Sequence, residues 1–377
     1  MLKKLSYYQA IATLTGTIIG AGILAVPYVF MQNGFWTGTL VLICVWLAML
    51  SIKLMVGEIT LRTSGRHQLS GYVGIYLGKI WQKVIAIFIS ITIYGALLAY
   101  FVGQGETLST IFGGSRIFWS LAFYFIFSLI IYKGIRLVKN IEFILSFFVL
   151  LFFLLIIFFL LGHFDSNNIH GFKINNLFVP FGVILFASVG TIAIPEMRKV
   201  LYQKEIFFKK AIIVGATIPA IINFTFALSV VGATGGATTT IATLGLGQKA
   251  GEIILILSNI FASLTMATCF LMSGIALKDE YNYDLKLSRP VAWLLTVLGP
   301  LALYLLGFHD FIKIISLIGA FGLSFEGLVY LATYWRARSL GQRQPEYFLG
   351  LSQAILATLF LSLVFLSALG YTIIMMI

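Results

Sequence analysis

Two stretches 168 residues apart pair a glycine with a proline at the same spacing. Residues 22–27 read GILAVP and residues 190–195 read GTIAIP, with Ala25 matching Ala193. Both lie in apolar runs long enough to be helical, yet glycine and proline are the poorest helix formers. A helix broken in lipid exposes N–H and C=O groups that hydrocarbon cannot satisfy. Such a break is tolerable only where the backbone lines a cavity and other groups complete its bonds. Around Gly20, Ala21, Gly22 and Ile23 the released N–H groups open a half-helix, whose positive end favours an anion such as a carboxylate. Around Ser188, Val189, Gly190 and Thr191 the second break presents carbonyls suited to an ammonium group. Two such breaks facing one another suit a zwitterion such as an amino acid. Close helix packing through small residues is the competing reading; it fits Gly16-xxx-Gly20 but accounts poorly for a matched pair of breaks.

Few other polar residues lie at membrane depth. A charge there is costly and marks a functional site by default. Lys53 and Glu326 are the deepest. Lys53 is expected to snorkel toward the nearer surface, and Glu326 is a candidate proton carrier or a partner for Lys53. Glu58 and Glu196 lie near span ends, where ion pairs or gate contacts are expected. Tyr94, Tyr100 and Phe186 are candidate pocket aromatics. The histidines His67, His163, His170 and His309 are scattered over loops and span edges, so no metal site is expected. No Ser/His/Asp set, paired acids at membrane depth or GxxxxGK[ST] loop is present, which argues against an enzyme or a nucleotide-driven pump.

The elements that must position these residues follow from composition. Sixty per cent of the 377 residues are hydrophobic and 10% charged, with a mean hydropathy of +1.02. This is an integral membrane protein. Hydropathy predicts eleven spans, over 6–31, 36–61, 80–106, 117–133, 140–162, 177–199, 209–233, 250–277, 290–307, 311–334 and 348–376. The formal charge of +12 is spread over short loops rather than gathered into a patch, which argues against nucleic acid. With the N-terminus inside, only Arg116, Lys173, Lys249 and Lys313 of the 25 lysines and arginines fall outside, and Lys53 lies within a span. That bias orients the chain in the cytoplasmic membrane with its N-terminus inside and its C-terminus outside. Cys44 and Cys269 both lie in apolar spans, so no disulfide framework is expected.

The first break lies in span 1 and the second in span 6. Five spans separate their starts, so the two run in opposite directions, as in the inverted repeats of secondary transporters. The expected fold is all-α, with eleven transmembrane helices forming a five-plus-five inverted repeat and one additional C-terminal helix. Helices 1 and 6 are broken at the midplane. The chain reads as one transmembrane domain over 1–377: repeat one about 6–162, repeat two about 177–334, and the added helix about 348–376.

With those residues in view, the chain resembles the amino-acid permeases of the LeuT-type fold, especially the hydroxy/aromatic amino-acid permeases. Residues 16–27, GTIIGAGILAVP, are similar to that family's first-helix pattern. Residues 97–108, LLAYFVGQGETL, and 267–281, ATCFLMSGIALKDEY, are similar to its patterns in helices 3 and 8. Gln104 replaces a family glycine, and Thr268-Cys269 stands where a Thr-Ser pair is usual. The resemblance implies an ion-coupled secondary transporter of amino acids working by alternating access, without a cofactor, driven by protons or sodium. It implies a cation site near Gly16, Ile19, Thr265, Thr268 and Cys269, although a thiol is a poor ligand for a hard cation. A sensor that signals without transporting, and a transporter of another small solute, are the alternatives.

Overall fold

The structure, a computed structural model, describes residues 2–65, 67–133, 135–173 and 179–376. Residues 174–178, where repeat two is expected to begin, lie outside the described residues. Among the described residues the regular elements are all helical. Helix α1 (Leu2–Ile18) and α2 (Gly22–Asn33) are followed by α3 (Phe35–Arg62), the short α4 (Leu69–Leu77), α5 (Lys79–Phe112), α6 (Arg116–Lys133) and α7 (Ile135–Leu161). Then come α8 (Val179–Ala187), α9 (Ile194–Val200), α10 (Phe208–Thr234), α11 (Ala242–Ala250), α12 (Glu252–Asp279) and α13 (Arg289–Leu305). Helices α14 (Phe311–Leu317), α15 (Ser324–Leu340) and α16 (Leu351–Met376) complete the chain.

Among the described residues, eight helical segments are long and apolar enough to cross a membrane, and the pair α1 and α2, bent by 55°, makes a ninth when taken together as one span. The expected span 140–162 falls within α7, whose apolar stretch includes Phe147–Leu161, and 290–307 appears as the shorter apolar α13. Two features depart from hydropathy alone. Helices α4 and α11, nine residues each, lie where loops are expected and are too short to span. A π-helical turn at Ile318–Leu323 interrupts the expected regular helix of span 10, and another at Glu280–Asp284 continues α12 past the expected end of span 8.

Both expected breaks are present. The helix stops at Ile18 and restarts at Gly22, and α8 stops at Ala187 before a short 3-10 turn, Thr191–Ala193, leads into α9. Pro195 sits in the first turn of α9, where its missing N–H removes no helical bond. Gly190 adopts φ +144°, a conformation L side chains rarely take, and this reverses the chain within the break. Helix α1 packs on α9, and α2 on α8. The two broken spans therefore run antiparallel, with their breaks at the same level. They meet backbone to backbone: a Cβ on Gly22 would lie 2.5 Å from the Ala187 Cα.

The 34-residue α5 is the central strut, packing on α6, α12, α13 and α14. Gln104, buried on α5, donates to the Ser263 carbonyl at 2.7 Å and accepts from the Ser263 hydroxyl at 2.9 Å, tying α5 to α12. α16 packs against α15 and α3 at the edge of the bundle.

Candidate functional site

A cavity of about 1150 Å³, its open mouth included, runs from the level of the breaks to the face of the bundle that carries the start of α1. At its deep end the rings of Tyr100 and Phe186 lie 6.3 Å apart. Val189, Gly190 and Thr191 of the second break form one wall, with Thr13 and Thr17 of α1 beside them. Cys269 and Ser273 of α12 and Thr92 of α5 form others, and Gln68, Glu196 and Asp279 stand toward the mouth. Most of the remaining lining is aliphatic, including Ile89, Ile93, Ala96 and Met272. The order follows from the breaks, which remove helical backbone at one depth and leave a recess that α5 and α12 close from behind.

Of the residues singled out from sequence, Tyr100, Phe186, Val189, Gly190, Thr191, Cys269 and Glu326 line this cavity. Gly20 borders it; a Cβ there would lie 3.7 Å from the Tyr100 hydroxyl and 2.7 Å from the Cys269 sulfur. Ala21, Gly22 and Ile23 are buried behind it. Ile23 N–H donates to the Gly20 carbonyl at 3.1 Å and Leu24 N–H to Ala21 at 3.0 Å. The Ile23 donor is thus committed within the turn, and the anion-binding reading narrows to Gly20, Ala21 and Gly22. Tyr94 lies elsewhere. Its ring packs against Gly299, and its hydroxyl bonds Tyr281 at 2.9 Å and the Leu295 carbonyl at 2.8 Å.

The candidate cation ligands are largely engaged. Thr265 donates to the Phe261 carbonyl at 2.6 Å and Thr268 to the Thr265 carbonyl at 2.8 Å, both within their own helix. The Cys269 thiol donates to the Ile19 carbonyl at 3.5 Å, across the first break. Gly16 has open space beside it.

Two expectations for the buried charges are corrected. Lys53 does not snorkel. It is 1% exposed, and its Nζ turns inward to donate to the Ser188 carbonyl at 2.8 Å. That carbonyl, freed by the second break, lies within reach of α3 and supplies an acceptor that lipid lacks. Nor does Lys53 pair with Glu326, which faces the cavity and accepts from Tyr330 at 3.3 Å; its Oε1 has no hydrogen-bond partner. Asn223 of α10, not singled out from sequence, donates to the adjacent Ala187 carbonyl at 3.2 Å. An asparagine within an apolar span was the signal that could have found it.

At the face carrying the cavity mouth, Glu196 pairs with Lys199 at 2.5 Å. Glu58 is fully buried; it pairs with Arg62 at 2.8 Å and accepts from Tyr334 and the Leu349 amide. Arg198 of α9 donates to the Thr60 and Thr63 carbonyls at the end of α3 and to Glu205. These contacts hold the α9 half-helix to α3.

Two antiparallel broken spans over a cavity open to one face are the build of a multi-pass membrane transport protein. The chain belongs to the tryptophan/tyrosine permease family, which it matches over residues 3–370. It is a permease, not an enzyme. Among its relatives, Glutamine transporter 2 of Aliivibrio fischeri is 24% identical over 337 residues, covering 85% of each chain. Tyrosine-specific transport system 1 of Haemophilus influenzae is 22% identical, covering 88% of each. The Low affinity tryptophan permease of Escherichia coli is 26% identical over 107 residues, 28% of this chain and 26% of that one.

Proposed function

We propose that this permease carries a neutral amino acid with an apolar or aromatic side chain across the cytoplasmic membrane by alternating access. The facing breaks carry the reading: there, among the described residues, interrupted helix ends, aromatic rings and a carboxylate come together at a cavity at membrane depth. The substrate carboxylate is held by the amides of Gly20, Ala21 and Gly22 at the positive end of α2. The side chain lies against Tyr100, Phe186 and the aliphatic wall. The ammonium meets the carbonyls of Val189 and Gly190 or the Glu326 carboxylate. The relatives named for glutamine, tyrosine and tryptophan agree with a neutral substrate.

Spans 1–5 and 6–10 form the inverted repeat, with α16 outside it. The positive-inside bias places the N-terminus and the cavity mouth in the cytoplasm, so this is the inward-facing state. Coupling is to a cation, proton or sodium, with Gly16, Ile19, Thr265, Thr268 and Cys269 the sodium candidates and Glu326 a proton carrier in the cavity. Binding tests the site. A thermal-stability panel of the twenty amino acids on detergent-purified protein is expected to give a saturable upward shift with neutral, bulky members, absent in Phe186→Ala. Shifts with none of the twenty would redirect the search to other small solutes.

A further inference from the structure

Lys53 and Asn223 reach from two different helices, α3 and α10, to two successive carbonyls that the second break leaves without helical donors, Ser188 and Ala187. They line a small recess with Ile18, Trp46, Met49 and Leu50, on the opposite side of the break from the main cavity. Lys53 thus already occupies a position assigned from sequence to a ligand's ammonium. It does so without a counter-ion: among the described residues no carboxylate lies within ion-pair distance of its Nζ.

Among the described residues, the elements around Lys53 supply no other titrating group to the lining of the recess. Helix α1 contributes Ile18, and α10 contributes Ala216, Ala220 and Asn223. On its own helix, Glu58 is paired with Arg62. From α9, Glu196 is paired with Lys199, and Arg198 is bonded to Glu205 and to carbonyls of α3. From α15, Glu326 faces the main cavity with Tyr330, and Tyr334 is bonded to Glu58 and Arg338. In such surroundings the Ser188 carbonyl is the partner of the ammonium, so the charge on Lys53 is tied to the arrangement of the break.

Resting on the transport reading above, we propose that Lys53 is the resident cation of the second break and the proton-coupling group of this permease. With the break closed, the protonated amine holds the Ser188 carbonyl. When the break rearranges to open the opposite face, that bond is lost and the neutral amine takes a proton from external water admitted to the recess. As the break closes again the ammonium re-forms the bond to Ser188, and in the inward-open state one of its N–H bonds breaks and the proton passes to cytoplasmic water. Lys53 acts through the break and does not touch substrate; it is a positioning residue. The substrate's ammonium is consequently received by Glu326 and the Val189 and Gly190 carbonyls rather than by Ser188.

The test is uptake into proteoliposomes of radiolabelled tyrosine, tryptophan and glutamine by the wild type, Lys53→Met, Lys53→Arg and Asn223→Ala. Each is assayed for counterflow and for accumulation under an inward gradient of one pH unit. The wild type is expected to accumulate substrate about tenfold, the concentration ratio one proton supports across that gradient. Both Lys53 variants are expected to exchange substrate, more slowly, while accumulation falls to the level without a gradient and the pH profile flattens. Lys53→Arg keeps the charge and the bond to Ser188, so it reports on titration even if Lys53→Met fails to fold. Asn223→Ala, which loosens the same break without a titrating group, is expected to slow exchange yet keep gradient-driven accumulation. Accumulation retained in Lys53→Arg, or a wild type that exchanges but ignores the gradient, overturns the proposal. A wild type that exchanges none of the three amino acids refutes the transport reading beneath it and the proposal with it.

Discussion

Gly20 and Cys269 meet at the first break, and each can be tested through the other. A methyl group on Gly20 would lie 2.7 Å from the Cys269 sulfur but 3.6 Å from its Cβ. Gly20→Ala is therefore expected to lower transport about tenfold, some 1.4 kcal/mol. Cys269→Ala alone removes weak thiol bonds, the one to the Ile19 carbonyl among them, and is expected to cost little. The double variant is expected to recover most of the loss, a coupling of about 1–3 kcal/mol typical of residues in contact. A double variant no better than Gly20→Ala would mean that the glycine serves backbone conformation instead. Individual residues were unevenly readable from sequence. Glycine and proline in an apolar run are rare enough to announce a break. A lysine on a four-carbon stem reaches a surface or a neighbouring helix equally well, so only packing showed where Lys53 ends. The same holds for Tyr94, whose place beside α13 depends on Gly299, 205 positions away in sequence.

At the scale of elements, Tyr94 pins α5 to α13 and to the π-turn at Glu280–Asp284 through Leu295 and Tyr281. Tyr94→Phe removes both bonds at a position outside the cavity. It is expected to destabilise by about 1 kcal/mol and lower the melting temperature by a few degrees. The Michaelis constant for substrate should stay at the wild-type value; a severalfold change would place Tyr94 in the substrate path. Hydropathy located the long spans because a bilayer imposes a length of about 20 apolar residues. It could not locate α4, α11 or the π-turns, which are fixed by how neighbouring helices fill space. Close backbone approach at Gly319 against the Gly182 carbonyl is one such constraint.

For the molecule as a whole, the cavity lining reaches Gln68, Glu196 and Asp279 toward the face that carries the start of α1, and Cys269 lines it from deep inside. In a Cys44→Ser background, a small membrane-impermeant thiol reagent is expected to modify Cys269 in inside-out vesicles and not in right-side-out ones. Substrate should slow the modification severalfold. Labelling from the opposite side alone would reverse the orientation read from the charge bias. Everything in this account depends on substrate crossing between the two breaks, where Gly22 lies 2.5 Å (as a built Cβ) from the Ala187 backbone. The most direct measurement is counterflow of radiolabelled tyrosine, tryptophan and glutamine in proteoliposomes, wild type against a folded Gly22→Leu. Saturable exchange of at least one by the wild type, abolished in Gly22→Leu, is the expected result; exchange at the wild-type rate in Gly22→Leu would contradict the account.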